Sequence, residues 1–252
     1  MTATVAIVQA RMTSTRLPGK VLLPVAGRPL LSYQLERMRR AALLDRIVVA
    51  TTVNASDDPI VAFCRQEGVA VTRGSEQDVL ARYVEAAQAF QASTVVRVTS
   101  DCPLLEPALI DAAIARHAGA QPPCDYLSNM LEPSFPYGLA VEVISAETLF
   151  QAGSEARDPQ EREHVTPFIY WRPQRFRLQS LTMTPDLSQQ RWTVDTAQDF
   201  DLVSRIIEAL YPLTPEFTMH DVLALLERHP QWVKINAQVV QKTVSPSLQE
   251  KP

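Results

Sequence analysis

Three cations and several small residues follow the first apolar run of the chain. The run Val5–Val8 stops at Gln9, and Arg11, Arg16 and Lys20 then lie among threonine, serine and glycine. Free backbone N–H groups and fixed positive charge in such a loop can hold a polyphosphate. A guanidinium group binds two oxygens at once, whereas an ammonium acts as a compact point charge. The segment therefore predicts a phosphate-binding loop, although an ordinary basic surface loop could have the same composition.

Two aspartates that follow apolar runs are candidate metal ligands. Asp101 comes soon after the run Thr94–Val98, and Asp195 comes directly after Arg191–Val194. Magnesium usually binds one or two protein carboxylates together with phosphate oxygens and water. Carboxylates that face a cationic loop would suit this ion. Each aspartate also has a simpler explanation, because Asp101 could stabilise a turn and Asp195 could favour the positive end of a helix.

The first half of the chain alternates strand and helix patterns, which would bring these residues together. Apolar runs predict strands at Val5–Gln9, Arg46–Thr51, Val69–Thr72 and Thr94–Val98. Helical patterns span residues 29–42, 56–68, 75–90 and 106–117. Strands connected through helices form a parallel sheet, and ligands bind beyond the carboxyl ends of its strands. The loops after the first and fourth strands should therefore meet at one sheet edge.

The second half is less regular. Strand patterns occur at residues 139–144, 176–183 and 191–194, and antiparallel pairing could occur among them. A helical pattern over residues 158–171 is interrupted by Pro167. Thr196–Asp199 has the spacing of a capping box for a helix to Leu210, and residues 218–229 predict another helix. The polar residues from Val239 onward predict a frayed tail.

Composition excludes several classes of function. The chain has 252 residues, a net charge of −4 and 46% apolar residues, so we expect neither nucleic-acid nor membrane binding. The amino-terminal residues do not have the pattern of a signal peptide. Cys64, Cys102 and Cys124 form no C-x-x-C pair, which argues against a zinc framework and fits a reducing, cytoplasmic location.

Residues 11–20, reading RMTSTRLPGK, resemble the R-x-x-S-T-R-L-P-G-K signature of cytidylyltransferases that activate sugar acids. The nearest resemblance is to the spore-coat polysaccharide biosynthesis protein F group and to 3-deoxy-manno-octulosonate cytidylyltransferase. Residues 100–104, SDCPL, resemble the family's G/S-D-x-P-L motif, and residues 194–199, VDTAQD, resemble V/I-D-T-P-E-D. The resemblance covers roughly residues 4–235 and is densest in the first 110.

The resemblance implies the fold and the domain organisation. It implies an α/β, Rossmann-like fold with a mostly parallel, twisted sheet flanked by helices, of the nucleotide-diphospho-sugar transferase type. A smaller mixed α+β lobe would bind the acceptor and form a homodimer. Residues 1–238 would form one nucleotidyltransferase domain, with the nucleotide on residues 1–120, the acceptor and dimer contacts on residues 121–238, and a flexible tail at 239–252.

The resemblance also implies roles for residues at the nucleotide site. Arg11, Arg16 and Lys20 would bind the triphosphate and act in catalysis together with Asp101, and Asp101 and Asp195 would hold Mg²⁺. Residues 73–80, RGSEQDVL, resemble the R-G-S-E-x-D-V-L-x-R segment. Arg73 and Ser75 would then lie near cytosine or its ribose, with backbone contacts from Gln9 and Ala10. Residues 75–78 also have the spacing of a helix capping box, which is a competing explanation for Ser75 and Asp78.

Acceptor candidates come from the second half and are Tyr137, Glu142, Glu163 and His164. Residues 162–167, REHVTP, resemble the same run in the spore-coat group. Many relatives read P-D-G-L-D-V-E-V where this chain reads PYGLAVEV, so Tyr137 and Ala140 replace two acidic residues. This difference suggests a different acceptor.

The function implied is magnesium-dependent transfer of CMP from CTP to a sugar acid or related acceptor, with release of pyrophosphate. A glycosyltransferase of similar fold usually has an Asp-x-Asp motif, but position 103 here is Pro103. Sugar-1-phosphate nucleotidyltransferases usually have a glycine-rich G-x-G-T-R loop instead of the arginine-rich loop found here. A nucleotide-binding protein without catalysis is a further alternative.

Overall fold

A computed structural model describes residues 3–241, and its first half alternates strands with helices. Apolar runs form the strands, and segments with apolar residues on one side form the helices. In chain order these elements are β1 (Ala3–Gln9), β2 (Pro24–Val25), β3 (Arg28–Pro29), α1 (Leu30–Met38), β4 (Arg46–Thr52), α2 (Asp58–Gln66), β5 (Ala70–Gly74), α3 (Val79–Ala89), β6 (Ala92–Thr99) and α4 (Pro107–Ala118). The first-half strands and helices predicted from the sequence are all present.

The second half adds short strands and more helices. In chain order they are β7 (Tyr126–Ser128), β8 (Glu142–Ser145), α5 (Ala146–Glu155), α6 (Pro159–His164), α7 (Pro167–Tyr170), β9 (Leu178–Ser180), α8 (Ala197–Leu210) and α9 (Met219–Arg228). The predicted break at Pro167 is confirmed, because the segment forms two helices. Val165, with a φ of +74°, ends α6, and Pro167 has no N–H to continue that helix but fits the first turn of α7.

The main sheet has seven strands in the order β5-β4-β1-β6-β8-β7-β9. The four strands of the first half pair in parallel, and β8 is antiparallel to both of its neighbours. The predicted mostly parallel sheet flanked by helices is therefore confirmed, and β2 and β3 form a separate small hairpin. Strands of the second half extend the same sheet because β8 pairs with the edge of β6 that β1 leaves open.

Helices cover both faces of this sheet. Side chains alternate along β1, so Ala6 and Val8 pack with α1, α4, α8 and α9, while Val5 and Ile7 pack with α3, α5 and α7. All four residues are fully buried. The continuous apolar run at the start of the chain is thus what a strand covered on both faces requires.

Three strand predictions in the second half differ from the structure. Residues 191–194 form no strand and make only one bridge, between Arg191 and Tyr137. The N–H of Val194 donates to the carbonyl of Asp101 instead, so this segment is held by loops. The strands predicted at 139–144 and 176–183 shorten to β8 and β9, and the short strand β7 was not predicted.

Helix starts agree with the sequence at α8 and differ at α3. Thr196 and Asp199 form the predicted capping box of α8. At α3 the predicted box is wrong, because Asp78 is the N-cap and accepts a hydrogen bond from the N–H of Ala81 at 2.9 Å. Ser75 lies outside the helix, and its hydroxyl accepts from the N–H of Asp78 at 3.1 Å. A serine three residues before an aspartate fits a turn as well as a helix cap.

None of the helices in residues 3–241 is long and apolar enough to cross a membrane. Most of the predicted tail, from residue 242 onward, lies outside the described residues.

Candidate functional site

A cavity of about 470 Å³ opens at the carboxyl ends of β1 and β6. It lies between the loops that follow these strands, the start of α3, the end of α6 and Asp195, which precedes the N-cap of α8. The predicted site residues that line it are Gln9, Ala10, Arg11, Arg16, Lys20, Asp101, Glu163, His164 and Asp195. The predicted residues Arg73, Ser75, Tyr137 and Glu142 are not among those that line it. The two loops meet at one edge, as the sheet topology predicted.

The loop after β1 has unpaired backbone donors beside this cavity. Gly19 has a φ of +69°, a conformation that favours glycine, and its N–H closes the loop onto the carbonyl of Met12 at 2.9 Å. Within the described chain, the N–H groups of residues 13–16 have no protein acceptor. Free N–H groups beside cations form a site for an anion.

Two acidic residues that the sequence did not single out hold this loop in place. Asp57, which is 1% exposed, accepts a hydrogen bond from the N–H of Met12 at 2.8 Å. Glu76 accepts from the hydroxyl of Thr13 at 2.5 Å and lies 3.8 Å from Arg11. Acidic residues shortly before a helix ordinarily suggest capping, so neither residue gave a distinct sequence signal.

Lys20 lies between the two predicted metal ligands. Its Nζ is 2.9 Å from Asp101 Oδ2 and 2.9 Å from Asp195 Oδ1. Burial alone would lower the pKa of Lys20, but the two carboxylates outweigh it and raise that pKa above its ordinary value. Burial alone would raise the pKa of Asp101, and the Lys20 ammonium instead holds it below its ordinary value. Lys20 therefore stays protonated at neutral pH.

Asp195 is directed into the cavity by the start of α8. Thr196 caps that helix, and the N–H of Asp195 donates to Asp199 at 3.1 Å. The Asp195 carboxylate is therefore free to bind cations, and it lies 3.0 Å from both Arg16 and Arg191. Three cations including Lys20 surround it, whereas a residue that only favours a helix end needs no such partners.

The carboxylates of Asp101 and Asp195 can also hold a metal ion. No group of three or more His, Cys, Asp or Glu side chains suited to a metal occurs within residues 3–241. The two carboxylates nevertheless both contact the Lys20 ammonium, beside the predicted phosphate-binding loop. Magnesium takes this donor set when phosphate oxygens and water supply its other ligands. A hard divalent cation therefore fits in place of the Lys20 ammonium.

Arg73 supports a neighbouring loop. Its guanidinium donates to the carbonyls of Thr52 and Asn54, each at 2.8 Å, and lies 2.7 Å from Asp58. Ser75 stabilises the turn before α3, as described above. Both residues therefore order the chain beside the cavity.

Glu142 is buried and does not line the cavity. A network of side chains connects it to the cavity through Gln9. It forms an ion pair with Arg97 and accepts a hydrogen bond from the hydroxyl of Tyr126 at 2.7 Å. Arg97 in turn donates to the side chain of Gln9 at 3.2 Å, and Gln9 lines the cavity. Glu142 thus positions Arg97 and Gln9.

Glu163 and His164 lie at the end of α6, on the cavity wall. Arg162 fixes this helix against α3 through an ion pair with Asp78. Burial lowers the pKa of His164 from its ordinary value, with a smaller opposing effect of Glu163. The wall therefore offers a neutral imidazole at neutral pH.

Tyr137 faces a second cavity of about 450 Å³, together with Arg191. The guanidinium of Arg191 lies 5.3 Å from the centre of the Tyr137 ring. Because Arg191 also binds Asp195, the two cavities lie on either side of this ion pair. The structure therefore does not bring Tyr137 together with Glu163 and His164 on one wall.

Arg82 lines the first cavity and was missed by the sequence analysis. It belongs to α3 and is only 3% exposed. Two signals were available: the last arginine of the R-G-S-E-x-D-V-L-x-R segment falls on residue 82, and the residue lies on the apolar side of the helix, between Val79 and Tyr83. A charged residue in that position is unusual unless it has a partner or a function.

Comparisons with known proteins show the family of this chain. The family model for cytidylyltransferases matches residues 5–227. The spore coat polysaccharide biosynthesis protein SpsF of Bacillus subtilis is 36% identical over 234 residues, which cover 89% of this chain and 94% of that protein. An uncharacterized protein of Methanocaldococcus jannaschii is 35% identical over 249 residues, covering 95% of this chain and 96% of its own.

Solved structures show the same fold. A cytidylyltransferase from Leptospira borgpetersenii superimposes with a TM-score of 0.88 at 30% identity, covering 96% of this chain and 100% of its own. A CMP:2-keto-3-deoxy-manno-octonic acid synthetase solved with CTP has a TM-score of 0.63 at 16% identity, covering 82% and 99% of the chains, which supports the fold alone. With its phosphate-type loop, paired carboxylates and family match, the chain belongs to the cytidylyltransferase family.

Proposed function

We propose that this protein transfers CMP from CTP to a sugar acid or a related acceptor and releases pyrophosphate. The observation that carries this proposal is the placement of the cationic loop and two carboxylates on one cavity. Nucleotidyl transfer requires both features, because the leaving pyrophosphate gains negative charge while the reacting phosphate must be held in line. The family match and the spore-coat relative support the use of CTP in polysaccharide or glycan biosynthesis.

In this proposal the protein contributes position and charge. An acceptor oxygen forms a bond to the α-phosphorus of CTP, and the bond from that phosphorus to pyrophosphate breaks. Arg11, Arg16 and Lys20, with the free N–H groups of residues 13–16, would stabilise the charge that develops on pyrophosphate. No nucleophilic side chain is required for this single displacement.

Asp101 and Asp195 would hold Mg²⁺ in the active protein. The bound ion supplies positive charge at the phosphate oxygens and can lower the pKa of an attacking hydroxyl. The convergence of both carboxylates on Lys20 supports a cation at this point. With both carboxylates engaged in this way, the Lys20 ammonium would be available to bind the phosphates.

Glu163 and His164 would bind the acceptor. A carboxylate accepts hydrogen bonds from hydroxyl groups, and a neutral imidazole can donate or accept one. Glu142 would act beneath this site through Arg97 and Gln9. Tyr137 and Ala140, which stand where many relatives have acidic residues, would alter the choice of acceptor.

The larger organisation is proposed on the same basis. Residues 1–120 would hold the nucleotide, and residues 121–238 would bind the acceptor and form a homodimer in the cytoplasm. Light scattering on the purified protein measures its mass in solution, and the mass of a single 28.1 kDa chain would contradict the dimer.

The reaction is tested by pyrophosphate release with Mg²⁺ in a matrix of nucleotides and acceptors. CTP, UTP, dTTP, ATP and GTP are each offered with sugar acids, sugar phosphates and phosphonates, and nucleotide sugars are offered with the same acceptors in separate reactions. We expect release with CTP and one acceptor class only. Matched reactions with EDTA and without acceptor serve as controls.

Other results would contradict the proposal in different ways. Release with UTP or dTTP and a sugar 1-phosphate would indicate the other class of nucleotidyltransferase. Release of a nucleoside diphosphate from a nucleotide sugar would indicate a glycosyltransferase. Failure of CTP to bind in calorimetry would contradict the assignment of the phosphate loop.

A further inference from the structure

Arg82 is a buried cation without a counter-ion. No carboxylate in the described part of the chain lies within ion-pair distance of it, and its Nε has no hydrogen-bond acceptor. Its Nη1 is 3.5 Å from the carbonyl of Ala50, which is the upper limit for a hydrogen bond. A buried, unpaired guanidinium lowers stability, so its presence on a cavity wall indicates a ligand that supplies the missing acceptors.

Arg82 and the Asp101 carboxylate, a candidate metal ligand, lie on opposite sides of β1. Ala50, its nearest acceptor, belongs to β4, which pairs with one side of β1. Asp101 follows β6, which pairs with the other side. A nucleotide whose phosphates lie along the loop after β1, with its α-phosphate toward Asp101, would therefore have its base toward Arg82.

We propose that the Arg82 guanidinium recognises the base, by donating hydrogen bonds to O2 and N3 of cytosine, and so selects CTP over UTP. This inference rests on the proposed function. Cytosine presents two neighbouring acceptors, which match the two parallel donors of a guanidinium. Uracil has a donor at N3, so a hydrogen of the base would face a hydrogen of Arg82.

Gly74 supports the position of Arg82. A Cβ at residue 74 would lie 2.8 Å from Arg82 Cγ and 2.8 Å from Glu85 Oε2. Only glycine therefore lets the side chain of Arg82 pack directly against the end of β5. A Gly74→Ala change would displace the guanidinium and keep its charge.

The experiment measures CTP and UTP affinity by calorimetry, without acceptor, for the wild type and three variants. Arg82→Lys keeps the charge and removes the paired donors, Arg82→Met removes both, and Gly74→Ala shifts the side chain. Arg46→Met, which changes an exposed arginine at the other end of the sheet, is the matched control. Thermal unfolding of each ligand-free variant is recorded in parallel.

We expect the wild type and Arg46→Met to prefer CTP by at least ~10-fold, and the other variants to lose most of that preference. Ligand-free Arg82→Met should unfold at no lower temperature than the wild type, because an unpaired buried charge has been removed. If Arg82 had only a structural role, Arg82→Met would unfold at a lower temperature than the wild type. Its ratio of CTP affinity to UTP affinity would be unchanged.

Two negative outcomes are distinguishable. If the wild type prefers CTP and the folded variants at residues 74 and 82 keep that preference, the base-recognition inference is wrong while the proposed function stands. If the wild type binds neither nucleotide, the proposed function and this inference both fail. Should Arg82→Met not fold, Arg82→Lys and Gly74→Ala still decide the question.

Discussion

Lys20 shows how one side chain can connect the two halves of the site. Its ammonium binds Asp101 from the first half and Asp195 from the second, 2.9 Å from each. We expect Asp101→Asn and Asp195→Asn each to reduce turnover by more than ~100-fold, because each removes charge from the proposed metal site. Initial rates of pyrophosphate release at saturating CTP measure the effect, and circular dichroism checks folding.

Asp58→Asn is the matched control for these two variants. Asp58 forms an ion pair with Arg73, and its side chain is 61% exposed, outside the cavity. Its loss should leave turnover nearly unchanged. Near-normal activity of either site variant at low magnesium would show that the carboxylate concerned is not a metal ligand.

Arg16 gives a second test at the residue scale. Its guanidinium lies 3.0 Å from Asp195 and lines the cavity beside the loop's free N–H groups. We expect Arg16→Ala to weaken CTP binding by ~10-fold or more, since a hydrogen bond to a charged group is lost, and to change CMP binding little. Calorimetry with both ligands measures this, and Arg205→Ala, on the outside of α8, is the control. Equal losses for CTP and CMP would contradict the assignment of Arg16 to the leaving group.

At the scale of elements, α8 and α9 begin with the same type of capping box, but only the start of α8 lies beside the cavity. Thr196 caps the helix that directs Asp195, whereas Thr218 caps a helix whose start lies outside the cavity lining. We expect Thr196→Ala and Thr218→Ala each to lower the free energy of unfolding by ~1 kcal/mol. Only Thr196→Ala should also reduce turnover, because it loosens the residue next to Asp195.

Urea unfolding and pyrophosphate release, measured on both variants, separate the two effects. A similar fall in turnover for both would mean that stability alone controls activity. Unchanged turnover in Thr196→Ala would mean that Lys20 and Arg191 position Asp195 without the helix.

The prediction of elements was accurate where the pattern was long and local. The four parallel strands could be read from apolar runs, and the break at Pro167 from the chemistry of proline. The start of α3 could not be predicted, because Ser75 and Asp78 are both residues that cap helices well. Only the hydrogen bond from the N–H of Ala81 to Asp78 shows which of them is the cap. β7 has three residues and is stabilised by its neighbours, so its own sequence gave little signal.

At the scale of the whole molecule, Gly138 allows two distant segments to approach closely. It has a φ of +113°, and a Cβ there would lie 2.5 Å from the backbone of Trp192 and of Thr193. We expect Gly138→Ala to lower the free energy of unfolding by more than ~1 kcal/mol and also to reduce turnover. The segment that it would displace leads to Asp195.

Gly68→Ala is the control for this change. Gly68 also has a positive φ, of +66°, but nothing lies within 4 Å of the added Cβ. It should therefore show the cost of backbone strain alone, with normal turnover. Equal effects of both substitutions on stability and activity would argue against the importance of the close approach.

The sequence by itself determined the parallel sheet, the loop after β1 and the candidate residues at the carboxyl ends of the strands. These features depend on local spacing and on a general rule of sheet topology, which a single chain reveals. The sequence also indicated the family, through motifs that the comparisons then confirmed.

Only the tertiary structure decided which candidate residues line the same cavity. It placed Lys20 between Asp101 and Asp195, left Arg73 and Tyr137 off the lining of that cavity, and brought Arg82 to it. These outcomes depend on contacts between residues far apart in the chain, and on whether a charged group finds a partner when it is buried. Sequence spacing does not determine such contacts, because the packing of helices on the sheet sets them.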